Sequence, residues 1–157
     1  MRIEPAVEGH IEQIIEAMTL DEWVEHQSDI DKCHDESISS QPKTVRQMMN
    51  KLFKDAVTAF TVFDGNLPVV MAGSVADEAD QNDGFIWSVG SKSRYTNDLR
   101  EFLRCSRSVL SDLSKDFARV GILVRDGDQE IATWLKHMNF EKYPDQRNGM
   151  TAYLLTI

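Results

Sequence analysis

The spacing of apolar residues changes period several times along this chain, and each change marks an element. Val120, Ile122 and Val124 alternate with Gly121, Leu123 and Arg125 in a run rich in β-branched residues, which predicts a buried strand. Asp126-Gly127 ends it. Asp128 can then cap a helix whose apolar positions are Ile131, Trp134, Leu135 and Met138. Phe140 to Tyr143 reads as a further strand, Asn148-Gly149 as a hairpin turn, and Met150 to Ile157 as the last strand.

Earlier in the chain, Met1 to Glu4 predicts a short edge strand stopped by Pro5. Ile11, Ile14, Ile15 and Met18 hold one face of a helix over 8–18. Thr19-Leu20-Asp21-Glu22 reads as a cap with acids in the first turn, and a second short helix follows through Trp23, Val24 and His26. Gln27 to Lys43 is polar and acidic and reads as the longest structureless segment. Val45, Met48, Met49, Leu52 and Phe53 stripe a helix over 44–56. Two β-rich runs, Val57 to Phe63 and Leu67 to Val75, are joined by Asp64-Gly65-Asn66, a hairpin signal. An acidic loop precedes a strand at Phe85 to Val89. Thr96 can cap a long helix over 97–113, whose Arg100, Arg104 and Arg107 fall on a solvent stripe. The order β-α-α-α-β-β-β-α-β-α-β-β predicts an α/β fold with a mixed sheet and helices on both faces.

Length and composition narrow this picture. At 157 residues and 41% hydrophobic, residues 1–157 fit a single globular domain. A net charge of −9 disfavours broad nucleic-acid binding, because phosphate backbones repel it. No apolar run approaches the ~20 residues of a membrane span. The start MRIEPAVEGH has no apolar core of the signal-peptide kind, so no secretory signal is expected. Cys33 and Cys105 form no CxxC pair and read as reduced thiols.

The segment EIATWLKHMNFEKY resembles the end of a Gcn5-related N-acetyltransferase (GNAT) domain, where a short helix ends in a Gly-Phe pair that starts the next strand; here the pair is Asn139-Phe140. Phe85-Ile86-Trp87 and Trp134-Leu135-Lys136 resemble the layout of small GNAT-like proteins of tailed phages, internal virion proteins among them. The resemblance implies a GNAT-like, mostly antiparallel sheet with helices on both faces.

It also implies where chemistry would sit. The loop Gly90-Ser91-Lys92-Ser93-Arg94-Tyr95-Thr96 lies between a strand and a helix N-terminus, whose free N–H groups suit a pyrophosphate. In the family, acetyl-CoA docks on a glycine-rich loop there. Ser91, Lys92, Ser93, Arg94, Tyr95 and Thr96 are therefore the candidate cofactor residues, although no glycine follows Gly90 in the loop. A plain loop-to-helix junction is the alternative. The family's acidic Tyr, about five residues before the strand-starting Phe, falls on Leu135, which cannot donate a proton. Glu78, Asp80 and Asp83 are weak candidates for a base.

Asp29, Asp31, Cys33, His34 and Asp35 lack the paired spacing of a zinc site, so no metal is expected. His10, His26 and His137 read as surface or interface residues. Trp23, Trp87 and Trp134 read as core, with a partner surface as the alternative.

These features together imply a phage GNAT-fold protein with degenerate chemistry. It would act as an internal or ejected virion component or as a host-directed accessory protein, in the virion or the host cytoplasm. Protein partners, in the virion or a second copy, are expected, with no catalytic residue assigned and no cofactor required. The alternative is an acetyl-CoA-dependent N-acetyltransferase acting on an amine.

Overall fold

The structure is a computed structural model and describes residues 2–32, 41–91, 99–147 and 149–157. The elements follow in the expected order: β1 (Arg2–Pro5), α1 (His10–Ala17), α2 (Leu20–Lys32), α3 (Val45–Asp55), β2 (Thr58–Asp64), β3 (Leu67–Ala76), β4 (Asp83–Gly90), α4 (Leu99–Ser114), β5 (Arg119–Arg125), α5 (Gln129–His137), β6 (Glu141–Arg147) and β7 (Met150–Thr156). The strands form one sheet in the order β1-β2-β3-β4-β5-β7-β6. Every neighbouring pair is antiparallel except β4 and β5.

Local chemistry sets the element ends. Thr19 and Glu22 close a complete capping box: the Glu22 N–H donates to Thr19 Oγ1 at 3.2 Å, and the Thr19 N–H donates to Glu22 Oε1 at 3.1 Å. Asp128 Oδ1 accepts from the Ile131 N–H at 3.3 Å and so caps α5. Asp64-Gly65-Asn66 turns β2 back along β3, with Gly65 at φ +62. After α5 the chain reverses through Asn139 at φ +67, a left-handed conformation that Asn tolerates better than most residues. Asn139 thus fills the place of the glycine in the Gly-Phe pair, and Phe140 behind it is buried.

Two boundaries depart from expectation: the strand expected over Phe140 to Tyr143 runs from Glu141 to Arg147, and α2 is longer than the sequence suggests. Gln27 to Lys43 reads as structureless in sequence, yet α2 continues to Lys32. Residues 33–40, with Cys33, His34 and Asp35, lie outside the described residues.

The core divides into two large clusters on opposite faces of the sheet. Ile11, Ile14, Ile30, Val45 and Met49, from α1, α2 and α3, pack with Met71 and Val89. Leu110 of α4 and Leu135 and Met138 of α5 pack with Phe117, Val120, Val124, Phe140 and Tyr153. Trp87 packs against the first cluster and Trp134 against the second, as a core reading expects. Trp23 does not: it is 39% exposed on α2. Among the described residues no helix is long and apolar enough to cross a membrane.

Candidate functional site: the gap between β4 and β5

β4 is hydrogen-bonded to β3 along its whole length, from Ala76↔Gly84 to Val70↔Gly90. Its other edge meets β5 at three positions only, Asp83↔Arg119, Gly84↔Val120 and Phe85↔Gly121. β5 keeps its antiparallel pairing with β7 from Arg119 to Arg125. From Ile86 onward β4 therefore parts from β5, and among the described residues its backbone edge as far as Gly90 has no strand partner. The result is a gap closed at Phe85 and Gly121 and open toward the ends of both strands. An unpaired edge of this kind accepts an extended, amide-bearing ligand as it would accept another strand.

Gly90 and Ser91 stand at the open end. Gly90 has φ +143, and a Cβ there would lie 2.2 Å from the Val69 carbonyl oxygen and 2.7 Å from Val70 Cα. Only glycine fits so close to β3. The Ser91 N–H donates to that same carbonyl at 2.8 Å. The Ser91 side chain is fully buried, and among the described residues its Oγ finds no hydrogen-bond partner. A buried hydroxyl left unpaired is costly. Ser91 is the one member of the candidate cofactor loop that can be placed; Lys92, Ser93, Arg94, Tyr95 and Thr96 lie outside the described residues.

On the α1–α3 side, α2 lies across the gap. Its Ile30 packs in the cluster that holds Val89 of β4. Its Asp29 binds Arg125, the last residue of β5: Nε donates to Oδ1 at 2.9 Å, and the Nη2–Oδ2 contact completes a fork. Arg125 also pairs with the Glu25 carboxylate and donates to the Glu25 carbonyl oxygen at 3.2 Å. The hydrogen bonds to Asp29 hold the guanidinium above its already high pKa. On a helix with 3.6 residues per turn, His26 falls on the face of α2 that also carries Ile30 and Asp29. Its side chain is half-buried. The sequence offers a signal for it only in retrospect: Glu22, His26 and Ile30 recur at steps of four on one face of α2.

The other sequence candidates fall elsewhere. Asp83 opens β4 at the closed end of the gap, where the Arg119 Nη2 and Nε meet its carboxylate at 2.6 and 3.2 Å. Those hydrogen bonds hold the Asp83 carboxyl below its ordinary range, which suits an ion pair and not a base. Glu78 and Asp80 are exposed in the loop before it. Leu135 is fully buried in the core, so the helix position where the family resemblance expects a tyrosine is apolar packing.

Two further recesses are present. One of about 260 Å³ sits at the end of β5 against α5 and is lined by Val124, Arg125, Asp126, Ala132, Thr151 and Tyr153, with no β4 residue. The other, of about 400 Å³, follows the outer side of α2 at Trp23, Val24, Gln27, Ser28 and Asp31. Among the described residues no three His, Cys, Asp or Glu side chains converge as a metal site.

No family model matches the chain, and no curated protein matches it in sequence. Solved structures do match in fold. An acetyltransferase from Thermus thermophilus is 14% identical, with 99% of this chain and 96% of that one covered and a TM-score of 0.67. A GNAT-superfamily phosphinothricin acetyltransferase from Sinorhizobium meliloti, in complex with AcCoA, is 11% identical over 99% of this chain and 88% of that one, with a TM-score of 0.64. An acetyltransferase of the GNAT family from Streptococcus pneumoniae is 14% identical over 99% of both chains, with a TM-score of 0.59. At such identities the likeness is one of architecture: this chain has the GNAT fold, with a mixed, mostly antiparallel sheet and helices on both faces.

Proposed function

We propose that this protein is an N-acyltransferase that holds acetyl-CoA in the gap between β4 and β5 and passes the acyl group to an amine. The single observation that supports this most is the β4 edge from Ile86 to Gly90, unpaired among the described residues. The backbone N–H and C=O groups of that edge would hold the amide-bearing arm of acetyl-CoA. The Ser91 hydroxyl, buried and without a partner among the described residues, would donate at the end of it. Bound there, acetyl-CoA would supply an acyl thioester. His26 is the residue we assign to take the proton from the attacking amine, from its place on α2 over the gap. With Leu135 buried where a tyrosine would be needed, the chain offers no acid at that helix position, and we assign the leaving sulfur no protein proton donor.

The test is calorimetric titration of acetyl-CoA, followed by release of free thiol in the presence of amines. Micromolar binding with amine-dependent thiol release supports the reading. Absence of binding contradicts it. A second reading is motivated by Leu135 alone: a GNAT-fold protein without transfer activity, acting on protein partners in a virion or a host cell. Binding of acetyl-CoA without thiol release from any amine would favour it, as would the protein's presence in purified phage particles.

A further inference from the structure

The N-terminal edge of the sheet is fastened by one histidine. His10 opens α1, is half-buried, and meets the Phe63 ring of β2 edge-on, with centroids 5.1 Å apart. Its Nδ1 lies 2.9 Å from the Thr61 hydroxyl and accepts from the Val7 N–H at 3.3 Å. A ring nitrogen that accepts from a backbone N–H keeps its lone pair. The Thr61 hydroxyl therefore donates to it as well, and the ring proton sits on Nε2. Thr61 is fully buried, and among the described residues Nδ1 is the one partner of its hydroxyl. Neutral His10 thus ties the turn after β1 to β2. Little else holds that edge: β1 pairs with β2 at four positions, from Arg2↔Phe63 to Pro5↔Phe60, and the Ala6 N–H donates to the Ala59 carbonyl oxygen at 3.0 Å.

A proton added at Nδ1 turns that nitrogen from acceptor to donor. It would then face the Val7 N–H as donor against donor, and the Thr61 hydroxyl proton would stay buried without its acceptor. The surroundings oppose the new charge as well. His10 stands at the positive end of the α1 dipole. From β1, the Arg2 guanidinium lies over the same Phe63 ring, 4.4 Å from its centroid. Glu4 of β1, in register with Thr61, is paired with Arg2 at 3.2 Å. Glu12 of α1 is held by Arg46 of α3, and Glu8 is the exposed acid of the turn itself. β2 and β3 bring Thr61, Phe63 and Met71, none of them charged.

We propose that His10 is a proton-operated latch on the sheet edge. Neutral, it holds β1 and the turn over 6–9 against β2. Protonated, it releases them, while α1 stays seated through Ile11 and Ile14 in the core. Histidine is the side chain that ordinarily changes charge between about pH 5 and 8, so the latch responds to mild acid. In the open edge water satisfies the charged ring, the Val7 N–H and the Thr61 hydroxyl together. Acid therefore favours the open edge, and neutral pH the closed one. The latch lies on the far side of the sheet from β5 and does not depend on acetyl-CoA.

Hydrogen exchange read by NMR tests this, with protection factors removing the intrinsic pH dependence of exchange. Between about pH 7.5 and 5.5, protection of Ala6 and of the β1 amides should fall about tenfold, with β3 and β4 unchanged. His10→Asn keeps a side-chain acceptor and cannot titrate, so its protection at Ala6 should be equal at the two pH values. Glu4→Gln and Glu8→Gln should keep the response of the parent. In the parent at the higher pH, the ring nitrogen shifts should show the Nε2–H tautomer. Equal protection of the parent at both pH values overturns the proposal, and so does an Nδ1–H tautomer; neither readout needs a variant to fold. A response that persists in His10→Asn, or is lost in either glutamine variant, assigns it to another group and also overturns it.

Discussion

Arg125, at the end of β5, and Asp29, 96 residues earlier on α2, are joined by a forked hydrogen bond with Nε donating to Oδ1 at 2.9 Å. The pair is part-buried, and it ties a helix with few buried apolar residues to the strand that forms one wall of the gap. Arg125→Ala should destabilise the fold by about 1–3 kcal/mol, the range for losing a partly desolvated, hydrogen-bonded charge pair. The loss should be local. Hydrogen exchange of the α2 amides should accelerate well beyond that of β2 and β3, and urea denaturation gives the global figure.

The Gly90 backbone fixes how the open end of the gap is built. Gly90→Ala places a methyl group 2.2 Å from a carbonyl oxygen of β3, and backbone cannot move aside as a side chain can. A loss of about 3 kcal/mol or more is expected, among the larger effects of single substitutions. The melting temperature should fall accordingly, and a variant that melts like the parent would mean that β4 does not close on β3 at this point.

The Asp83–Arg119 pair makes stability depend on acid. Arg119 lowers the Asp83 carboxyl pKa in the folded chain, so the pair stabilises above the unfolded value of about 4 and its contribution is lost as pH falls through the lowered folded value. The stability difference between the parent and Arg119→Ala, measured by urea denaturation, should be present at pH 6 and shrink toward pH 2. High salt should reduce it at pH 6, because the arginine is exposed.

Much of this architecture is readable from sequence, and the unreadable part has a physical cause. The capping box at Thr19 and Glu22, the Asp64-Gly65 turn and the Asp128 cap are local, so the residues that decide them are neighbours. The order of all the elements follows from such signals. The length of α2 does not. From Gln27 to Lys32 only Ile30 is buried and apolar, and the helix is held by an arginine on a distant strand. The gap is equally invisible, because no periodicity says where β4 and β5 stop pairing. Trp23 reads with the core because tryptophan usually belongs there; its position on the outer side of α2 depends on which face Arg125 holds. Ser91 stands out in sequence only for its place in a loop. Its buried hydroxyl, without a partner among the described residues, appears only in three dimensions.

His26 carries a kinetic prediction. If it takes the amine proton, His26→Ala should lower kcat by about 10²-fold, within the usual range for a general base. Acetyl-CoA affinity should be unchanged. A loss of affinity with kcat unaltered would make His26 a packing residue of α2.

The most direct measurement is a titration of acetyl-CoA into isotope-labelled protein, followed by backbone amide shifts. The account predicts saturable changes concentrated at Ile86 to Ser91 on β4 and at Ile122 to Val124 on β5, with β1 and β2 unmoved. Saturable changes located elsewhere, or none at millimolar acetyl-CoA, would contradict it.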